Sequence, residues 1–285
     1  MTKVIDDKTV TETPVLAAGG APSRPAALPI IEREVGERGA EIARGGMGQI
    51  TEARDARLGR TVALKEIRDP NPALARRFER EALISATLEH PAIVAVYEAG
   101  RWPSGEPFYA MKRVIGRPLD QVIAGCATLS DRLALIPNVL AVFDALAYAH
   151  GKGIIHRDLK PANVLVGAYG ETVVIDWGLA KNLSEADETL AERETDATVM
   201  GAVLGTPAYM PPEQARGERV DERADVYALG ALLYTVLAGR PPYVGFSTQQ
   251  ILDAVKTRPV TRLRDVPEDL ATIVEHAMAR DPAER

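Results

Sequence analysis

Hydrophobic and polar positions change rhythm several times along the chain. Up to about residue 29 no apolar period is visible and Pro, Ala, Gly and Thr dominate, so residues 1–34 read as a disordered leader or linker. The segments "EVGERGAEIA" (34–43), "QITEARDA" (49–56) and "TVALKEI" (61–67) then carry the alternation of three antiparallel strands. "NPALARRFEREALISATLEH" (71–90) shifts to helical spacing, with Leu74, Phe78, Glu81, Ala82 and Ser85 on related faces. "IVAVYEAG" and "PFYAMKRV" return to strand, and after Gly116 the chain turns mostly helical. "DRLALIPNVLAVFDALAYAHGKG" (131–153) predicts a long amphipathic helix closed by glycine, with Pro137 marking a kink or a late start. "IIHRDLKPANVLV" and "TVVIDWGLA" read as short apolar strands around polar insertions, followed by a Thr-rich polar loop (182–206) and further helices. The pattern predicts an α+β chain: a small β-rich unit (35–111) followed by a larger helical one (112–285), without internal repeats.

Composition narrows the class. Hydrophobic residues make up 46% and charged residues 26% of the 285, as in ordinary globular proteins. With a net charge of −6 there is no global basic field to attract nucleic acid or acidic lipid. Cys126 is the only cysteine, which excludes an internal disulfide framework and makes a reducing compartment, the cytoplasm, the expected location. His90, His150, His156 and His276 lack the spacing of a zinc site. The N-terminus has no signal-peptide layout, and the apolar run "VYALGALLYTVLAG" (226–239) is shorter than the ~20 residues a bilayer needs. No membrane segment is expected; that run reads as a buried core helix.

The chemistry gathers between 155 and 180. In "IHRDLKPANVLV", His156, Arg157, Asp158, Lys160 and Asn163 lie between apolar anchors, where polar groups are costly unless hydrogen-bonded or functional. Asp176 is bracketed in the same way in "VVIDWG". Carboxylates and an amide on apolar strands suit a hard divalent cation carrying phosphate, which accepts one or two carboxylates and fills its remaining positions with phosphate oxygens and water. Taken singly, each of these residues also reads as a turn or strand cap; as a set in this order they do not.

With those motifs the chain resembles the eukaryotic-type protein kinases and is most similar to bacterial Ser/Thr protein kinases. The resemblance runs from about residue 35 to 285 and rests on "VALK", "HRDLKPAN", "DWG" and "GTPAYMPPEQA". It implies a two-lobed fold, with a small antiparallel sheet carrying one key helix and a larger, mainly helical lobe. It also implies transfer of the ATP γ-phosphate to Ser or Thr hydroxyls of proteins, with Mg²⁺ (or Mn²⁺) as the ion. By resemblance Lys65 holds the α- and β-phosphates and pairs with Glu81 rather than Glu79. Asp158 is the base, Lys160 steadies the γ-phosphate, Asn163 and Asp176 bind metal, and Thr206 bonds Asp158 and Lys160. The nucleotide would lie against Ala43, Arg44, Gly45, Gly46, Met47, Gly48, Ile50 and Ala63 on one side. Met111 as gatekeeper, the hinge backbone at Lys112 and Val114, and Leu165 would complete its pocket.

Two departures stand out. Ala43 occupies the position of the first glycine in the phosphate loop, "ARGGMG" (43–48), and Trp177 replaces the usual Phe after the metal-binding Asp. The loop is read as a working cradle because Gly45 and Gly48 remain. Trp177 is expected beneath the helix carrying Glu81, in room supplied by Ser85. Arg157 before the base implies control by loop phosphorylation, with Thr198 first and Thr195 second as sites and Lys181 completing a basic pocket. Autophosphorylation would involve a kinase–kinase dimer. Asp225 should hold the catalytic-loop backbone, and Glu213 should pair with Arg285, the last residue, so the sequence reads as stopping inside the family's final segment. The alternative is a pseudokinase, a scaffold that binds ATP without transferring phosphate.

Overall fold

A computed structural model of the chain describes residues 28–31, 38–44, 48–68, 71–182 and 207–285. Five strands form the first sheet: β1 (Arg38–Arg44), β2 (Gly48–Asp55), β3 (Arg60–Ile67), β4 (Val96–Arg101) and β5 (Pro107–Lys112). Their order is β1-β2-β3-β5-β4, and every neighbouring pair is antiparallel. β1 is exposed along its whole length, whereas β3, at the centre, is buried from Val62 to Glu66. Helix α1 (Pro72–Ala86) starts where Asn71 caps it, Oδ1 accepting from Ala73 N at 2.9 Å, with Pro72 in the first turn, where its missing N–H costs nothing. It buries Phe78 and Ala82 with Ala63, Tyr109, Met111 and Val114 of the sheet side. On the opposite sheet face Ala53, Val62, Leu64 and Phe108 pack with Trp102, which stacks on Phe108 at 3.8 Å.

The leader departs from the structureless segment expected of it at residues 28–31. Leu28 is buried, Ile30 bridges Arg101 in parallel, Ile31 N donates to Arg101 O (2.9 Å) and Arg101 N donates to Pro29 O (2.8 Å). β4 is the sheet's outer strand, and its open backbone groups find partners in this short strap.

Beyond the hinge, β6 (Gly116–Pro118) leads into α2 (Leu119–Ala124). The expected helix over 131–153 is two helices, α3 (Leu129–Leu133) and α4 (Ile136–Gly151). A reciprocal cap between Thr128 and Asp131 starts α3, and Pro137 sits in the first turn of α4, the one place where its ring does not break a helix. By length and composition alone the run 129–151 could cross a membrane. It is broken at 134–135, however, and α4 sets Val142, Ala145, Leu146 and Ala149 into the core of the larger lobe. The paired strands β7 (Ile154–Ile155) and β10 (Lys181–Asn182), and the small sheet of β6, β8 (Val164–Gly167) and β9 (Thr172–Val174), carry the polar insertions. After the short helix α5 (Pro212–Ala215), the central helix α6 (Arg223–Ala238) is buried over nearly its whole length. It is apolar nearly all round, as a helix enclosed by its own lobe must be. Gly239 ends it at φ 70°, a left-handed cap that a side chain would strain. Helices α7 (Thr248–Thr257) and α8 (Glu268–Ala277) close the lobe, α8 against α6.

Candidate active site

A cleft of about 630 Å³ opens between the sheet and the helical lobe. Its upper wall comes from β1–β3, where Ala43, Arg44, Gly48, Ile50, Ala63 and Lys65 border it. Its back and floor include Met111, Lys112, Val114 and Leu165. Gly48 is needed by the sheet itself: a Cβ there would lie 2.3 Å from the carbonyl oxygen of Glu66 on β3. The hinge backbone is partly committed, since Lys112 N donates to Ala95 O at 2.8 Å and the Val114 carbonyl accepts from Arg113 Nη1 at 2.8 Å. Lys112 thus offers a ligand no N–H. Gly45, Gly46 and Met47, and likewise Thr195, Thr198 and Thr206, lie outside the described residues.

β3 aims Lys65 into the cleft and α1 brings Glu81 to meet it, Nζ to Oε1 at 2.5 Å. Glu79, a little over half a turn away, pairs instead with Arg101 of β4 at 2.5 Å. Burial alone would depress the Lys65 ammonium. Burial is the largest single influence, but Glu81, Tyr109 and Asp176 together outweigh it and keep the group charged well above the ordinary lysine range. Lys65 Nζ also lies 3.8 Å from Asp176 Oδ1 on the opposite wall.

That wall is built from β7 into a short 3₁₀ turn at Pro161–Asn163. Asp225, fully buried on α6, accepts from His156 N (2.8 Å) and Arg157 N (2.9 Å) and bonds His150 Nε2 at 2.8 Å. Gln214 Nε2 donates to Arg157 O at 2.8 Å. Arg157, at φ 69°, is in a region that non-glycine residues rarely occupy; its N–H and C=O are clamped from both sides, which is how such a conformation persists. The next residue, Asp158, is thereby aimed into the cleft. Lys160 Nζ approaches its Oδ2 at 2.7 Å, and Asn163 Nδ2 donates to its carbonyl oxygen at 2.8 Å. Asn163 O in turn accepts from Ile175 N (2.9 Å), which ties the turn to Asp176.

The two carboxylates are driven apart electrostatically. Burial lifts Asp158 above the usual carboxylate range and neighbouring Asp176 adds to the lift, with Lys160 only partly countering it. Burial would lift Asp176 as well, but Lys65 and then Lys160 hold it below that range. One group is thus tuned to take a proton and the other to stay ionised. Asp176 is also at positive φ, 64°. Trp177 is buried at 1% exposure with its ring 4.6 Å from that of His156, in the same core cluster as Ile84 of α1. Lys181 pairs with Ile155 across β10 and β7, two residues before Arg157. At the base of the lobe Arg285 donates two hydrogen bonds to Glu213, Nη1 to Oε1 at 2.6 Å and Nη2 to Oε2 at 2.9 Å.

Three partners were not singled out from the sequence. Gln214 directly follows Glu213 in "PPEQ", a polar residue inside a motif, and so left some signal. His150 sits in the last turn of α4 with nothing in its neighbours to mark it, and Tyr109 lies in the apolar run "PFYAM". Tyr109 donates its hydroxyl to Glu81 Oε1 at 2.7 Å.

The chain belongs to the protein kinase domain family, whose match covers residues 37–285. It is 39% identical over 259 residues to the serine/threonine-protein kinase PknB of Mycolicibacterium smegmatis, a stretch that is 87% of this chain and 40% of that protein. It is 38% identical over 257 residues to the probable serine/threonine-protein kinase SCO3848 of Streptomyces coelicolor, covering 86% and 37%. To PknB of Mycobacterium tuberculosis it is 38% identical over 259 residues, covering 87% and 40%. The chain thus spans about 40% of the length of these relatives. The expected two-lobed fold is the one observed.

Protein kinases use ATP and a divalent metal ion, and the cleft fits both. Ile50, Ala63, Val114 and Leu165 offer apolar walls for a flat base, with Lys65 charged beyond them. Asp176, its side chain 44% exposed, is ionised, and Asn163 adds an amide oxygen. Among the described residues no group of three or more His, Cys, Asp or Glu could cage a metal ion. A cation here would be held by two protein side chains and otherwise by phosphate and water, as hard ions that travel with nucleotides are.

Proposed function

We propose that the chain is a serine/threonine protein kinase that moves the γ-phosphoryl group of ATP to Ser or Thr hydroxyls of protein substrates, with Mg²⁺ as the working ion and Mn²⁺ as a substitute. What supports the reading is one arrangement: the Lys65–Glu81 pair on one wall of the cleft faces Asp158, Lys160, Asn163 and Asp176 on the other. Phosphoryl transfer asks a protein for alignment and charge neutralisation more than for covalent chemistry. Lys65, oriented by Glu81, binds the α- and β-phosphates. Asn163 and Asp176 would hold the ion, which when bound supplies charge neutralisation at the phosphates. Asp158 orients the substrate hydroxyl and accepts its proton as the oxygen–phosphorus bond forms and the bond to the leaving ADP breaks. Lys160, already beside Asp158, neutralises charge on the transferring group and favours a Ser or Thr acceptor. To Thr206, outside the described residues, the reading assigns the role of bonding Asp158 and Lys160.

The same reading assigns Thr198, then Thr195, as sites of autophosphorylation, carried out by a second copy of the chain. Arg157 and Lys181 receive the phosphate. Incubating the purified chain with labelled ATP and Mg²⁺, alone and with a generic protein substrate, tests all of this. Label is expected on Ser and Thr only, at a rate per molecule that rises with chain concentration, and Asp158→Asn is expected to lower it by about 10²–10⁴-fold. Nucleotide binding without any transfer by the wild-type chain would instead make it an ATP-binding scaffold.

A further inference from the structure

We propose that Tyr109 is a positioning residue for the Lys65–Glu81 pair: its phenol, reaching from β5, fixes the Glu81 carboxylate in the orientation that holds Lys65. The inference rests on the kinase reading above. Both donors converge on one oxygen, Lys65 Nζ at 2.5 Å and Tyr109 OH at 2.7 Å from Oε1, while buried Oε2 has no hydrogen bond among the described residues. An ammonium on a flexible four-carbon stem has rotatable donors and sets no direction for its partner. A phenol on an immobilised ring does. The Tyr109 ring is 3% exposed and lies 5.3 Å from Phe78, about one turn before Glu81 on the same helix. Tyr109 therefore grips α1 twice, by ring and by hydroxyl, and does so from the strand directly paired with that of Lys65 (Lys65↔Tyr109). Apolar packing between β5 and α1 would be served equally by phenylalanine. The hydroxyl adds a charge-assisted bond to the carboxylate that is hydrogen-bonded to the cleft's lysine.

A double-mutant cycle separates this role from packing. Wild type, Tyr109→Phe, Glu81→Met and the double variant are compared in kcat/KM for ATP, in affinity for a fluorescent ATP analogue, and in Tm. Removing a hydrogen bond to a charged group is expected to lower kcat/KM about ten- to a hundredfold in Tyr109→Phe, with Tm close to wild type. In the Glu81→Met background the same change is expected to alter neither kcat/KM nor affinity by more than about twofold. An equal loss in both backgrounds would assign Tyr109 to packing alone, and no loss in wild type would overturn the proposal outright. Tyr109→Met supplies the same deletion of the hydroxyl if the phenylalanine variant does not fold. A wild-type chain that binds nucleotide without transfer would sink the kinase reading while the affinity cycle still decides this one. A chain that does neither would sink both.

Discussion

Asp158 and Asp176 share a cleft yet carry opposite shifts, and the difference can be measured. If Asp158 must be ionised to accept the substrate proton, transfer falls as pH drops through its raised value. The acid limb of kcat/KM against pH is therefore expected above the usual carboxylate range. Replacing Lys160 by Met, which removes the main attraction opposing that rise, should move the limb to still higher pH. The same shift has a stability consequence. A carboxyl that binds its proton more tightly in the folded than in the unfolded chain costs stability as pH rises from its ordinary value through its raised one. Asp158→Asn should accordingly lower transfer by about 10²–10⁴-fold while leaving the neutral-pH Tm equal to or above that of wild type. Trp177 makes a different demand, for volume. With Trp177 at 1% and Ser85 at 3% exposure, both bordering the cleft, Ser85→Leu is expected to overpack the site by about 1–3 kcal/mol and slow transfer. Unchanged rate and Tm in that variant would mean the indole has its room elsewhere.

At the level of elements, the turn that carries Asp158 owes its shape to helices remote in sequence. Asp225 of α6 satisfies two backbone N–H groups of the turn, and Gln214 of α5 takes the carbonyl of the strained Arg157. Asp225→Ala leaves two buried donors without an acceptor, at roughly 1–3 kcal/mol each, so thermal unfolding should come clearly earlier and transfer should fall as Asp158 loses its aim. Asp225→Asn, which keeps one acceptor, should fall between. Much of this scale was readable in the sequence. Periodicity marked α1, β3 and α6, because a one-sided helix, a central strand and an enclosed helix bury distinct sets of positions. "HRDLKPAN" marked the turn because so many polar groups rarely sit between apolar anchors without a purpose. What could not be read depends on partners in space. The break at 134–135 was partly legible, since Pro137 marked a kink or a late start, but which of the two occurs depends on the turn it enters. The bond from Tyr109 to Glu81 depends on strand register, which alternation does not specify. The bond from Lys112 N to Ala95 depends on the close approach of the segment entering β4, which no local pattern announces.

Across the whole molecule, the helical lobe is pinned near its end by one ion pair. The Arg285 side chain is completely buried, makes two hydrogen bonds to Glu213, and also reaches the carbonyls of Ala279 and Arg223. Removing one partner of such a pair leaves a charge stranded in the interior, so Arg285→Ala is expected to cost about 3–5 kcal/mol in urea unfolding, and Arg285→Lys, which cannot make the paired hydrogen bonds, a good part of that. The strap at residues 28–31 has a practical consequence at the other end. The family's outline begins at residue 37, downstream of the chain segment that seals the rim of the first sheet. A fragment trimmed to that outline would bare the Arg101 N–H and carbonyl together with the apolar seat of Leu28 and Ile31, a raw seam ready to zip onto another molecule. Light scattering of that fragment beside the full chain should show markedly stronger concentration-dependent self-association in the shorter one. The smallest well-behaved piece of this protein is then longer than its family resemblance would lead an experimenter to cut.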